Sequence, residues 1–174
     1  LAIERPGLVG SAVVSGKATD IIDAGFYLTQ AYADWFGSHH EHGAKNDGNR
    51  RVLLVDDSPF FRNLLTPLLA AAGYAVTSVD SAHRALALCE AGEDFDAIIS
   101  DIEMPGMDGF AFASAVRSNG RWQSKPLVAL SSHATPQDLD RGRAVGFDDY
   151  VAKFDREALL TSLNEALAVQ KGAA

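Results

Sequence analysis

Two adjacent carboxylates, Asp56 and Asp57, directly follow the apolar stretch VLLV. Because like charges repel strongly at the end of a buried segment, such a pair is costly unless a cation lies between the two side chains. Mg²⁺ is bound in this way, through one or two carboxylates together with waters and phosphate oxygens. On its own, the pair could equally begin a turn and cap a helix, so its interpretation depends on the other residues nearby.

Further polar side chains stand where other short apolar segments end. They are Asp101 after DAIIS, Ser131 after PLVAL and Lys153 after DYVA. If the ends of these segments lie together, three carboxylates converge in a partly dry site, and a hard divalent cation resolves their repulsion. The set therefore favours an Mg²⁺ site at Asp56, Asp57 and Asp101 over a simple turn.

Alternating strand-like and helix-like segments explain how these side chains could meet. Five short segments have the composition of buried strands: residues 51–55, 75–79, 96–100, 126–130 and 149–152. Segments with helical spacing separate them, which predicts an α/β fold with a doubly wound, five-stranded parallel sheet covered on both faces. In such sheets, ligands bind beyond the carboxyl ends of the strands, and the polar residues stand at those ends.

Local signals mark the ends of the predicted helices. Hydroxyl side chains are expected as N-caps at three helix starts, namely Ser58, Ser81 and Thr135. Pro67 lies inside the first helix and should bend it or remove one hydrogen bond. A later helix follows Gly109, which allows it to start close to the preceding loop, and the last helix is expected over residues 155–169.

Composition and charge exclude several classes of protein. The 174 residues have a net charge of -8 and scattered Lys and Arg, so no basic face is available for nucleic acid. No apolar run approaches the roughly 18 residues of a membrane span, and the first residues, LAIERPG, do not resemble a signal peptide. We therefore expect no membrane insertion and a cytoplasmic location. Cys89, the single cysteine, is expected as a small core residue without a disulfide.

A change of composition divides the chain at residues 37–49. This stretch, GSHHEHGAKNDGN, has no aliphatic side chain larger than alanine, which predicts a flexible linker. Its three histidines could bind a metal, but no cysteine accompanies them and a solvated linker is favoured. The linker would join a short unit, residues 1–36, to a domain over residues 50–170. Because the sequence begins with Leu, we expect it to be the tail of a longer protein.

Four motifs resemble the receiver domain of two-component response regulators, in the order and spacing of that family, over residues 50–170. They are LLVDDSPFFR, DAIISDIEMPGMDGF, PLVALSS and GFDDYVAKF. The resemblance implies a flavodoxin-like fold that binds Mg²⁺ and takes part in a phosphorelay. It also implies the role of each site residue: Asp101 is the phosphoacceptor, Asp56, Asp57, Asp101 and the backbone carbonyl of Glu103 hold Mg²⁺, Ser131 is the switch hydroxyl, Tyr150 is the switch aromatic, and Lys153 pairs with the phosphoryl group.

Two positions depart from the pattern of that family. Phe154 stands where the family usually has a proline in a cis peptide bond, and a cis bond before phenylalanine would cost roughly 2.5–4 kcal/mol. The geometry of Lys153 is therefore in question. The pair Ser131-Ser132 replaces a commoner Thr-Ala pair; the hydroxyl is kept, but Ser132 could alter access to the phosphoryl group and its lifetime.

Residues 1–36 carry a second resemblance. The stretch GLVGSAVVSGKATDIIDAGFYL suggests a strand, a Ser-Gly-Lys turn, a second strand and a helix through about Trp35. It is similar to the C-terminal end of the CheW-like adaptor domain of CheA-type chemotaxis histidine kinases, although an unrelated hairpin is the alternative. The two resemblances together indicate the receiver end of a hybrid CheA-like kinase.

The leading functional hypothesis is a signalling module that accepts a phosphoryl group from a histidine phosphotransfer domain or histidine kinase. The parent chain would be a histidine kinase, although these residues contain no ATP-binding kinase core, and chemoreceptor-array adaptor proteins would be further partners. An adaptor–receiver fusion is the alternative. An aspartate-nucleophile phosphatase is disfavoured because Glu103 stands where its second aspartate would be. A pseudo-receiver is disfavoured because no acidic site residue is missing.

Overall fold

The computed structural model describes residues 8–14, 17–22, 50–132 and 135–171. The chain divides into two units, Leu1–Ala44 and Lys45–Ala174. In the first unit, strands β1 (Leu8–Val14) and β2 (Lys17–Ile22) pair in antiparallel orientation, which confirms the two strands predicted there. Lys17, predicted as the last residue of the turn, begins β2, and the other two turn residues lie outside the described residues. The predicted helix through Trp35 and the linker with its histidines lie outside them as well.

The second unit alternates strands and helices. Its elements are β3 (Arg51–Val55), α1 (Pro59–Ala71), β4 (Ala75–Val79), α2 (Ala82–Glu90), β5 (Ala97–Asp101), α3 (Gly109–Ser118), β6 (Leu127–Ser131), α4 (Pro136–Val145), β7 (Asp149–Ala152) and α5 (Arg156–Lys171). The strands form one parallel sheet in the order β4-β3-β5-β6-β7. The predicted doubly wound, five-stranded parallel fold is confirmed.

Burial follows the position of each strand in the sheet. The central strands β3, β5 and β6 are buried along nearly all of their length, whereas the edge strands β4 and β7 are partly exposed. Leu53 and Val55 on β3 join a core cluster with residues of α2 and α3 on one face. Their neighbours Val52 and Leu54 point to the opposite face because side chains alternate along a strand, and both are fully buried.

The largest core side chain is Trp122, which packs edge-to-face on Phe95 with the ring centroids 5.7 Å apart. Its indole N–H donates to the backbone carbonyl of Glu93 at 3.0 Å, so the polar atom of this buried ring is satisfied. Cys89 is also buried in this core, as expected. Across the described ranges, every helix is too short or too polar to cross a membrane.

The helix ends confirm most of the local predictions. Ser81 and Thr135 both accept a hydrogen bond from the backbone of the first turn that follows, and Pro67 lies inside α1. Ser58 stands at the N-cap position of α1, but its hydroxyl makes no capping bond, so that part of the prediction is wrong. Its backbone N–H instead donates to the Asp56 carboxylate at 2.8 Å.

Two strands and one helix begin and end at residues other than those predicted. Strands β5 and β6 begin and end one residue later than expected, so Asp101 and Ser131 are the last residues of their strands. Pro126, predicted to start β6, has no N–H to donate, and the strand begins at Leu127. Helix α5 begins after Asp155, whose carboxylate accepts from the N–H of Ala158, and extends to Lys171.

Candidate functional site

The three aspartates predicted to converge lie together at the carboxyl edge of the sheet. Strand β3 pairs directly with β5, so the residues that follow β3 meet the last residue of β5. One carboxylate oxygen from each of Asp56, Asp57 and Asp101 can be chosen so that all three lie within 4.8 Å of one another. This spacing would allow the three side chains to coordinate one metal ion.

Two of these carboxylates are buried and oriented by the backbone. Asp56 and Asp101 are 0% and 1% exposed, respectively, whereas Asp57 is half-buried. Asp56 Oδ1 accepts from the N–H of Ser58 at 2.8 Å, and Asp101 Oδ1 accepts from the N–H of Glu103 at 3.1 Å. In each case, a backbone donor two residues further along holds one oxygen, and the other oxygen remains for a different partner.

Lys153 supplies that partner from the segment after β7. Its Nζ donates to Asp101 Oδ2 at 2.7 Å and lies 3.1 Å from Asp56 Oδ2. The second contact is an ion pair without the alignment of a hydrogen bond, which leaves Asp56 Oδ2 as a buried oxygen lacking a well-directed donor. The lysine side chain is 5% exposed, so this ammonium and the two carboxylates face one another with little water between them.

Burial dominates the proton affinities of the two buried acids. Desolvation raises the pKa of Asp56, and the nearby ammonium of Lys153 offsets part of that rise. Desolvation likewise raises the pKa of Asp101, again opposed by its hydrogen bond to Lys153. For Lys153 itself, burial favours the neutral amine, but the contacts with Asp101 and Asp56 outweigh it and raise the pKa. The lysine is therefore held in its charged form.

The residues present fit a divalent cation. Three carboxylates face one ammonium, so the cluster carries excess negative charge, and Asp56 Oδ2 has an ion pair with Lys153 but no aligned hydrogen-bond donor. Hard oxygen donors of this kind suit Mg²⁺ better than softer metals, which favour nitrogen or sulfur ligands. The fourth predicted ligand, the backbone carbonyl of Glu103, belongs to the loop directly after β5; its role as a ligand stays a prediction.

Ser131 and Tyr150 lie beside this acidic cluster. Ser131 is 3% exposed at the end of β6, and Tyr150 on β7 is half-buried. Burial raises the pKa of the Tyr150 hydroxyl, an effect that the Ser131 side chain partly offsets. Both residues line a cavity of about 420 Å³ together with Glu103 and Met104. The two residues predicted as a switch pair thus face the same cavity.

The Lys153–Phe154 peptide bond is trans, as are the other peptide bonds in the part of the chain that the structure describes. Lys153 reaches the two carboxylates with this geometry, so the phenylalanine does not keep the lysine out of the site. The Phe154 side chain is 53% exposed and packs against Phe61.

Arg62 was not singled out by sequence reasoning. Its guanidinium donates to the backbone carbonyls of Asp56 and Asp57 at 2.7 and 2.9 Å, which fixes the loop that carries both acids. The sequence contained one sign of this role: Arg62 ends the stretch VLLVDDSPFFR and so lies in the first turns of the helix that follows the acidic pair. The predicted close approach of Gly109 is also seen, because a Cβ at this position would overlap the backbone oxygen of Asp101.

Comparison with known proteins defines the family. Residues 52–164 match the model of the response regulator receiver domain, and the chain therefore belongs to that family. It is 29% identical to the sensor histidine kinase CheAY of Helicobacter pylori, over 94% of this chain and 22% of that protein. It is 37% identical to the gliding motility regulatory protein of Myxococcus xanthus, over 59% of this chain and 13% of that protein. The chain thus spans less than a quarter of either relative.

Solved structures show the same fold. The Vibrio cholerae chemotaxis protein CheY4 superposes with a TM-score of 0.65 at 36% identity, covering 68% of this chain and 99% of that one. A second match is the receiver domain of the sensor histidine kinase PA1611 from Pseudomonas aeruginosa, whose structure has a magnesium ion coordinated in its active-site cleft. It superposes with a TM-score of 0.64 at 29% identity, covering 70% of this chain and 99% of that one. The chain is a receiver-domain protein of the two-component phosphorelay type.

Proposed function

We propose that this receiver domain takes a phosphoryl group from a phosphohistidine onto Asp101 when Mg²⁺ is bound. The observation that carries the proposal is the placement of Asp101, buried at the end of β5 between Lys153 and two further carboxylates. A carboxylate in this position is a nucleophile that has been oriented by a backbone N–H and an ammonium.

The proposed transfer is a direct displacement at phosphorus. An Asp101 oxygen forms the new P–O bond while the P–N bond to the donor imidazole breaks, and the imidazole leaves with the electron pair and takes up a proton. Lys153 already lies at hydrogen-bond distance from Asp101, and its ammonium would offset the charge on the transferring oxygens. Mg²⁺ held by Asp56, Asp57, Asp101 and the carbonyl of Glu103 would supply further charge neutralisation.

The same site offers a means to report phosphorylation. The Ser131 hydroxyl at the end of β6 would donate to a phosphoryl oxygen, which draws its loop toward Asp101. Because Ser131 and Tyr150 line the same cavity, this movement would change the surroundings of the tyrosine ring as well. We infer that Ser131 and Tyr150 form the switch of the domain.

The proposed wider context is a hybrid CheA-like chemotaxis kinase, with residues 1–36 as the end of a CheW-like domain, 37–49 as the linker and 50–170 as the receiver. Its support is that the similarity to the Helicobacter pylori CheAY kinase extends over 94% of this chain, well beyond the receiver. The donor would then be a histidine phosphotransfer domain in the cytoplasm, and chemoreceptor-array adaptors would be neighbours. An adaptor–receiver fusion is the alternative, and the presence or absence of an ATP site in the sequence upstream of Leu1 separates the two.

The phosphoryl proposal is tested on the whole 174-residue chain with a phosphohistidine donor or acetyl phosphate. Labelling should require Mg²⁺, should be labile to hydroxylamine as an acyl phosphate is, and should be lost in Asp101→Asn. Asp140→Asn, an exposed position on α4, is the matched control and should label normally. Asp57→Ala should label poorly at low Mg²⁺ and recover in part at high Mg²⁺. Undiminished labelling of Asp101→Asn would overturn the proposal.

A further inference from the structure

An aromatic ring lies against the ammonium of Lys153. The Nζ atom is 4.3 Å from the centroid of the Phe61 ring and lies over its face, while it donates to Asp101 on the carboxylate side. A cation within about 6 Å of an aromatic centroid is attracted by the negative face of the ring. The ammonium therefore has two carboxylates, Asp101 and Asp56, and one aromatic ring as neighbours, and the ring keeps water from its own side.

The ring that touches the lysine is itself held in place by aromatic neighbours. Phe61 is half-buried near the start of α1, and its centroid lies 5.2 Å from that of Phe154, with the rings inclined at 59°. Phe60 packs edge-to-face on Phe61, with the ring centroids 5.2 Å apart. Because Phe154 directly follows Lys153, the Phe61–Phe154 contact joins the start of α1 to the segment that carries the lysine. Half of the Phe154 side chain stays exposed, so burial of its own surface does not account for this arrangement.

We propose that Phe61 is a positioning residue for phosphoryl transfer, holding the Lys153 ammonium against Asp101 with Phe154 as its brace. The inference rests on the proposed function and deepens it. A lysine side chain has a flexible four-carbon stem, so fixing its ammonium takes contacts on more than one side. The two carboxylates supply one side, and Phe61 supplies the other.

The proposal predicts an order among substitutions at position 61 that packing alone would not produce. Phe61→Leu keeps an apolar side chain but removes the aromatic face, and should slow phosphorylation by acetyl phosphate by about threefold to tenfold. Phe61→Tyr and Phe61→Trp keep that face and should stay within about twofold of the wild-type rate. Phe60→Leu removes a ring that packs on Phe61 but keeps the aromatic face against Lys153, and should slow the rate less than Phe61→Leu does. Urea unfolding of each variant shows whether stability differs.

A double substitution separates positioning through the lysine from a general packing effect. Once Lys153→Met has removed the ammonium, adding Phe61→Leu should change the residual rate by less than about twofold, because residues that act through one interaction are not additive. If Phe61→Leu slowed phosphorylation by the same factor in Lys153→Met as in the wild type, the proposal would be overturned. Equal rates for the leucine and tyrosine variants would overturn it as well.

Nuclear magnetic resonance distinguishes failure of this inference from failure of the proposed function. The ring current of Phe61 should shift the signals of the Lys153 side-chain end upfield, whether or not the protein is ever phosphorylated. Those signals should move toward ordinary lysine positions in Phe61→Leu and stay shifted in Phe61→Tyr. If the wild type shows the shift but takes up no phosphoryl group, the proposed function is wrong; if the shift is absent, the positioning role is wrong.

Discussion

Replacing Lys153 with methionine should destabilise the domain strongly in the absence of Mg²⁺. Methionine keeps much of the length of the side chain but removes the ammonium that lies 2.7 Å from Asp101 and 3.1 Å from Asp56. Both carboxylates are buried, so each would lose its positively charged partner. Each would keep one hydrogen bond from a backbone N–H. The variant therefore isolates the electrostatic contribution of the lysine to the apo site.

The size of the effect follows from the burial of the acids. Removing one partner of a buried ion pair costs about 3–5 kcal/mol. Because the neighbouring Asp57 is half-buried and the site lies at an edge of the sheet, some solvent screening remains, and we expect a loss of about 2–4 kcal/mol at neutral pH. A matched variant at a more exposed ion pair, Lys125→Met, breaks the 3.0 Å contact between the partly exposed Lys125 and the exposed Asp94, and should cost about 0–1 kcal/mol.

The assay is urea unfolding of the wild type and both variants, with EDTA and with saturating Mg²⁺. Mg²⁺ should restore much of the stability of Lys153→Met, since a cation that binds only the folded state stabilises it by mass action. Lowering the pH should also reduce the stability that Lys153→Met loses relative to the wild type. Burial raises the pKa of Asp56 and Asp101, so these folded acids take up protons at a higher pH than in the unfolded chain and lose the unbalanced charge.

The reasoning about Lys153 would be refuted if Lys153→Met were no less stable than Lys125→Met in EDTA. Equal stability would mean that the buried carboxylates are already neutral or solvated, and that the close ion pairs contribute little. A loss that Mg²⁺ leaves unchanged would instead indicate disrupted packing rather than unbalanced charge.

Three further predictions concern other parts of the domain. Gly109→Ala should cost about 1–3 kcal/mol in urea unfolding, because its Cβ would overlap the backbone oxygen of Asp101, whereas Gly120→Ala, with open space around it, should be nearly neutral. Hydrogen bonds from Thr135 lower the pKa of Asp138 below its ordinary 3.8. The difference in stability between the wild type and Asp138→Ala should therefore be constant above that pH and shrink as the pH falls below it. A difference that stayed constant in acid would contradict this. Burial raises the pKa of the Cys89 thiol, so an aromatic disulfide reagent should react slowly in buffer and rapidly in urea; fast reaction in buffer would contradict its burial.

Much of the fold could be predicted because the apolar segments are short, continuous and separated by helix signals. Parallel strands bring their carboxyl ends to one edge, so the convergence of Asp56, Asp57 and Asp101 followed from the order of the segments alone. The approach of Lys153 followed in the same way, since it comes directly after the last strand.

The remaining features depend on tertiary contacts that no local signal encodes. Strand β5 includes Asp101 because the residue after it, Ile102, still donates to the Leu130 carbonyl of the next strand. The bonds from Arg62 to two backbone carbonyls and the position of the Phe61 ring depend on how α1 packs beside the site. Neither distance nor direction between these groups can be read from their sequence separation.

The most direct test of the central claim is to map the phosphorylated residue. The whole chain is treated with acetyl phosphate and Mg²⁺, the acyl phosphate is reduced with borohydride to convert the modified aspartate into homoserine, and the peptides are sequenced by mass spectrometry. We predict conversion at Asp101 alone, and none when EDTA replaces Mg²⁺. Conversion at a different aspartate, or a stable phosphate on Ser131, would contradict the assignment of Asp101 as the phosphoacceptor.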